Sequence, residues 1–126
     1  MRLNPDCIRD VLIVVEDNSS FSKLVTLEDF SNSDIFQKYD METISYHIRQ
    51  AKESGLLLGA TFYLGGEFTI QDLSPEGHKF LANIREDKNW TKTKAIATKV
   101  GSTSLNALAS IATNVISTAI NQHLGR

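Results

Sequence analysis

The sequence predicts a mainly helical α+β fold, and three features carry that expectation. Asn4-Pro5-Asp6 and Ser74-Pro75-Glu76 repeat one helix-start chemistry: a capping side chain, a proline that fits the first helical position, and an acid at the positive helix end. Between them, Gly65-Gly66 separates two short apolar-rich runs, the pattern of a hairpin. Finally, residues 100–122 hold no Asp, Glu, Lys or Arg, while their apolar residues recur at three and four, as on one face of a helix.

The first helix runs from Pro5 with Ile8, Val11, Leu12 and Val15 at helical spacing, and a polar cluster stops it near Asp17-Asn18. Phe21 to Thr26 reads as a short strand. LEDFSNSDIFQKY then reads as a short irregular helix offering Leu27, Phe30, Ile35 and Phe36 to the core. Asp40 caps a clearer helix over about 41–54, closed by Gly55; Ile44, Ile48 and Ala51 form its inner face, with His47 at the margin. Strands follow around Leu56–Tyr63 and Glu67–Leu73, joined at Gly65-Gly66. The helix after Ser74 buries Gly77, Phe80, Leu81 and Ile84 at i, i+3, i+4 and i+7.

A chain of 126 residues with 41% hydrophobic content fills one core plus an appendage. Cys7 is the single cysteine, so no internal disulfide forms, and its place on the first helix makes it a small packed residue. With no apolar leader after Met1, the expectation is a cytoplasmic protein, and Asn18-Ser19-Ser20 and Asn89-Trp90-Thr91 match the glycosylation sequon by chance. The net charge of −2 conceals a split: residues 1–87 carry −7 and residues 88–126 carry +5. Two regions follow, 1–87 and a tail over 88–126 made of a basic helix and an uncharged amphipathic one.

Helix, strand, helix, helix, hairpin, helix is the order of a winged helix-turn-helix, here with a C-terminal helical extension. MRLNPDCIRDVL, the hairpin, DLSPEGHKFLANIRED and NWTKTKAIATKVGSTSL together resemble an uncharacterised winged-helix family of low-GC Gram-positive bacteria and their phages. The resemblance spans nearly the whole chain. It implies the fold and a phage or mobile-element setting, and brings no catalytic residue with it.

Enzyme chemistry is not expected. His47, His78 and His123 stand in no metal-binding spacing, and the chain has no P-loop, no GxGxxG and no nucleophile elbow, so neither metal nor cofactor is predicted. DNA is the partner the resemblance implies, with the 41–54 helix as the groove reader. Its outward residues include Ser45, Tyr46, Arg49 and Gln50, and with Lys52 these are the expected DNA contacts; Arg49 and Gln50 suit guanine and adenine edges, and Ser45 or Tyr46 suits a phosphate. Glu42 and Glu53 oppose this, and the hairpin turn offers no cation. Phosphate neutralisation dominates duplex affinity, so Lys88, Lys92, Lys94 and Lys99 are the expected backbone contacts; a solvated helix face explains the same lysines equally well.

In the tail, Leu105, Leu108, Ala112, Val115, Ile116 and Ala119 make an apolar face too wide to leave in water. Asn106, Ser110, Thr113, Asn114, Ser117 and Asn121 interrupt it, which favours packing within the chain or in a homo-oligomer over a membrane span. Trp90 among lysines is the feature that an interfacial anchor would share. The expected function is therefore a homodimeric DNA-binding regulator. The competing expectation is an acidic module that binds and modulates a host or phage protein.

Overall fold

The computed structural model describes residues 1–125; Arg126, counted above in the tail's charge, lies outside the described residues. The elements are α1 (Pro5–Asn18), β1 (Val25–Thr26), α2 (Leu27–Ser31), a 3-10 turn (Asp34–Gln37), α3 (Met41–Glu53), β2 (Leu57–Leu58), β3 (Thr61–Phe62), β4 (Phe68–Ile70), β5 (Asp72–Leu73), α4 (Pro75–Ile84), α5 (Asp87–Val100) and α6 (Leu105–Leu124). This is an α+β chain dominated by helix. It gathers into two compact units, one of Asp6–His78 and one of Met1–Pro5 with the residues from Lys79 onward.

In the first unit, Val11, Leu12, Val15, Val25, Phe30, Ile35, Ile44, Ile48, Phe68 and Ile70 are buried and form the core. The hairpin holds one antiparallel register from base to tip, Leu57 opposite Leu73, Leu58 opposite Asp72, Thr61 opposite Thr69 and Phe62 opposite Phe68. The two long runs read from the sequence are each interrupted, at Gly59-Ala60 and at Gln71. Gly59 has φ +64°, and a Cβ on it would come within 2.7 Å of the Gln71 side chain, so the outer strand bends there where only glycine fits. At the tip, Tyr63 N–H donates to Glu67 O at 2.9 Å while Gly65 and Gly66 take φ +93° and +94°. The doublet is the turn the sequence predicts. β4 also pairs with β1, Val25 opposite Ile70 and Thr26 opposite Thr69, giving the sheet order β1-β4-β3.

Three expectations are corrected here. The strand expected over Phe21–Thr26 shrinks to two residues, because Ser20 and Lys23 exchange backbone hydrogen bonds in a tight turn that leaves Phe21 fully exposed. The irregular helix is two pieces, since Ser33 accepts from Ile35 N–H and starts a separate 3-10 turn. Only Phe30 and Ile35 of its four apolar residues are buried; Leu27 is half-buried and Phe36 exposed. Third, His47 lies wholly inside rather than at the margin of α3, and its Nδ1–H donates to the Thr43 carbonyl at 2.8 Å.

Helix α4 starts as its Ser-Pro-Glu signature requires. Ser74 Oγ accepts from Gly77 N–H at 2.9 Å and donates to the Gly55 carbonyl, so one hydroxyl caps α4 and anchors it to the end of α3. Ser74→Ala is expected to lower stability by about 1–2 kcal/mol, measured by thermal unfolding, because it removes both the cap of α4 and the hydrogen bond to the Gly55 carbonyl. Gly77, Phe80, Leu81 and Ile84 are buried, as their spacing predicts.

In the second unit, α5 and α6 pack on each other. Gly101, at φ +82°, ends α5, and Ser104 Oγ accepts from Ala107 N–H at 3.1 Å to open α6. Trp90, Thr93 and Ala97 are the buried side of α5; Leu105, Leu108, Ala112 and Val115 are the buried side of α6. Those four of the expected oligomerisation residues are thus covered within a single chain. Ile116 is half-buried and Ala119 exposed.

Candidate nucleic-acid interface

The α3 face is set by its caps and its core stripe. Asp40 Oδ1 accepts from Thr43 N–H at 2.9 Å, and the hydroxyl and N–H of Thr43 hold the Asp40 carboxyl below its usual range. Gly55, at φ +79°, closes the helix, with Leu56 N–H reaching back to Ala51 O at 2.9 Å. With Ile44, His47, Ile48 and Ala51 inside, the helix turns Glu42, Arg49, Lys52 and Glu53 fully outward, and Ser45, Tyr46 and Gln50 are half-buried at its flanks. The Arg49 guanidinium sits 5.7 Å over the Tyr46 ring, and that ring meets His47 edge-on at 5.2 Å. An i, i+3 aromatic–arginine pair is the signal that would have revealed this stack in the sequence. Its effect is to hold the guanidinium close to the helix with its fork available.

The lysines divide. Projected at 100° per residue, Lys88, Lys92 and Lys99 fall within about 40° of one another, opposite Trp90, Thr93 and Ala97, and all three are exposed. They form a single straight row along the outside of α5. Lys94 is elsewhere: its Nζ stands 5.3 Å over the Trp90 ring, on the helix flank. The spacing 88, 92, 99 carries the row in the sequence; the position of Lys94 depends on which way the tryptophan is buried. The α3 residues belong to the first unit and the lysines to the second.

Charge follows the same division more sharply than it follows the sequence. Asp6–His78 holds thirteen acids and five bases, net −8, whereas Met1–Pro5 with residues 79–125 holds two acids and seven bases, net +5. Between Gly55 and Ser74 there is no Lys or Arg at all. The hairpin tip instead presents Tyr63 and Leu64, the latter fully exposed. Beside it a depression of about 480 Å³ is walled by Glu28, Glu67 and Tyr63, a lining that repels phosphate.

Other candidate chemistry is weaker. Burial, reinforced by Asp10, pushes the Cys7 thiol up to about 12, so it stays protonated and unreactive at neutral pH. Ser19 Oγ donates to Asp72 Oδ1 at 3.1 Å and His78 Nε2 lies 3.6 Å from the same oxygen. The hydroxyl's partner is thus the carboxylate rather than the imidazole, so the three do not line up as a Ser-His-Asp relay. Among the described residues no group of three or more His, Cys, Asp or Glu is placed to hold a metal, and no helix is long and apolar enough to cross a membrane.

No solved structure matches this chain. A relative from Haemophilus influenzae, an uncharacterized protein, is 29% identical over 120 residues, covering 93% of this chain and 97% of that one. A family model described as a hypothetical protein, DUF2513, matches residues 2–104, the whole chain up to the start of α6. The chain belongs to the DUF2513 family of hypothetical proteins.

Proposed function

We propose that this protein is a winged-helix DNA-binding regulator, with α3 as the groove helix and the Lys88, Lys92, Lys99 row as its grip on phosphate. The observation that carries the reading is that row: three cations on one line, with no acid on α5 after Asp87 to cancel them. A straight row of ammonium groups at one- and two-turn intervals suits a phosphate backbone, where each neutralised charge releases a counterion. The sheet order β1-β4-β3, with α3 leading into the hairpin, supports the winged-helix part. Arg49, held by Tyr46, is the base-edge reader, flanked by Ser45, Gln50 and Lys52; Lys94 plays the smaller part its place on Trp90 allows. The phage or mobile-element setting comes from the family resemblance, and pairing of two copies doubles the lysine rows.

The test is fluorescence anisotropy on labelled duplex DNA across a salt series. Replacing Lys88, Lys92 and Lys99 together with alanine is expected to flatten the dependence of log K on log salt by about 3 per bound copy, while Arg49→Ala lowers affinity and relaxes sequence preference. A triple variant with an unchanged slope would overturn the reading. The competing function, an acidic module that binds a basic partner protein, is favoured by one observation: the cation-free hairpin, whose exposed Leu64 and Tyr63 suit protein better than phosphate. Wild-type protein that ignores DNA at 20–50 mM salt would select it, on the principle that phosphate contacts are strongest there.

A further inference from the structure

Helix α6 has 20 residues and α5 has 14, so α6 extends by about 9 Å more than the helix packed on it. Burial follows that difference. Leu105, Leu108, Ala112 and Val115 are covered, and beyond Ile116 every described residue is exposed. The apolar spacing does not stop where the cover does: Ile116, Ala119, Ile120, His123 and Leu124 continue the same face at i, i+3, i+4, i+7 and i+8 and line a shallow apolar groove. Leu124 is 75% exposed and Ile120 49%.

We propose that a second copy of this chain covers this groove, the final two turns of α6 from each copy packing antiparallel about a two-fold axis. Charge selects that occupant. Residues 101–125 contain no Asp, Glu, Lys or Arg, in a chain in which 22% of residues are charged. A foreign helix recognised through flanking charges finds no Asp, Glu, Lys or Arg here to pair with, whereas an identical segment brings none of these to the face either, and neutral His123 is its one ionisable group. A two-fold axis makes such a patch self-complementary, Ala119 on each copy leaving room for the other's Ile120. Antiparallel packing also sets the two helix dipoles against each other favourably. Ser117, Asn121 and Gln122 lie on the outer side, where they supply an uncharged rim.

The size of the patch fixes its strength. Five side chains per copy bury well under the ~1,600 Å² of a standard interface, which places the dimer among weak, reversible associations. This deepens the homodimer part of the function proposed above and stands apart from its DNA part.

Sedimentation velocity of the full chain between about 1 and 200 μM decides it, in the range where such interfaces dissociate. Wild type is expected to shift from monomer to dimer, Ile120→Asp to remain monomeric throughout, and Val100→Asp, a change at an exposed apolar residue of α5 outside the groove, to dimerise like wild type. Far-UV circular dichroism of both variants checks that the helices remain. A wild type that stays monomeric to 200 μM, or a dimer that survives Ile120→Asp, overturns the proposal. An unchanged salt slope in the lysine variant with dimerisation intact would count against the DNA reading alone, and a wild type that binds DNA with the expected slope but stays monomeric to 200 μM would count against this inference alone.

Discussion

Phe68→Ala is expected to lower the unfolding free energy by about 3–5 kcal/mol, the largest loss of any single substitution considered. Phe68 is the residue that ties the hairpin to the rest of its unit. It is 1% exposed, meets Phe30 of α2 edge-on at a centroid distance of 5.3 Å, and meets Phe62 across the hairpin at 6.1 Å. Truncation removes apolar burial and both ring contacts, and β4 lies between β1 and β3, so the sheet cannot close around the gap without loosening both pairings. A unit with a typical stability of roughly 5–15 kcal/mol would lose a large share of it. The measurement is a urea titration followed by far-UV circular dichroism, since Trp90, the single tryptophan, belongs to the other unit and its fluorescence reports there. A loss below about 1 kcal/mol would mean that the hairpin is held by its turn and ladder rather than by this ring.

Gly77→Ala is expected to cost about 3 kcal/mol, a large effect for one methyl group. The cause is position, not backbone conformation. A Cβ at residue 77 would lie 2.1 Å from the carbonyl oxygen of Leu56 and 3.3 Å from the Leu73 side chain. The obstacle is backbone that already carries a hydrogen bond, because Leu56 O accepts from Ser74 N–H at 3.0 Å. Relief requires the first turn of α4 to move away from the base of the hairpin, which breaks the Ser74 cap as well. Gly66→Ala makes the contrast: its φ of +94° strains an alanine, but the space around it is open, so a cost nearer 1 kcal/mol is expected. Thermal unfolding of the two variants side by side measures the difference, and equal losses would show that the close approach at Gly77 carries no special weight.

Much of this fold is legible residue by residue. Most of the long helices announce at least one end locally: Asn4-Pro5 opens α1, Asp40 and Gly55 bound α3, Ser74-Pro75 opens α4 and Ser104 opens α6. These act through groups one to four residues apart, so the signal and its cause lie in the same short segment. The hairpin is legible for the same reason. What failed were the segments whose conformation depends on distant neighbours. Phe21 looks like strand by composition and stands in solvent because nothing in the core reaches the Ser20–Lys23 turn. His47 looks marginal on a helical projection and is buried because the core wraps further round α3 than Ile44, Ile48 and Ala51 alone suggest.

The candidate interface divides in the same way. The identity and spacing of Lys88, Lys92 and Lys99, the absence of cations in the hairpin, and the uncharged last helix were all decided by the sequence, since charge and helical period are local properties. Tertiary structure alone decided that the tryptophan under Lys94 is buried, and that the −7 and +5 division of the sequence becomes units of −8 and +5. It also decided where the apolar stripe of α6 ceases to be covered, because burial depends on the length of the partner helix and not on the stripe itself.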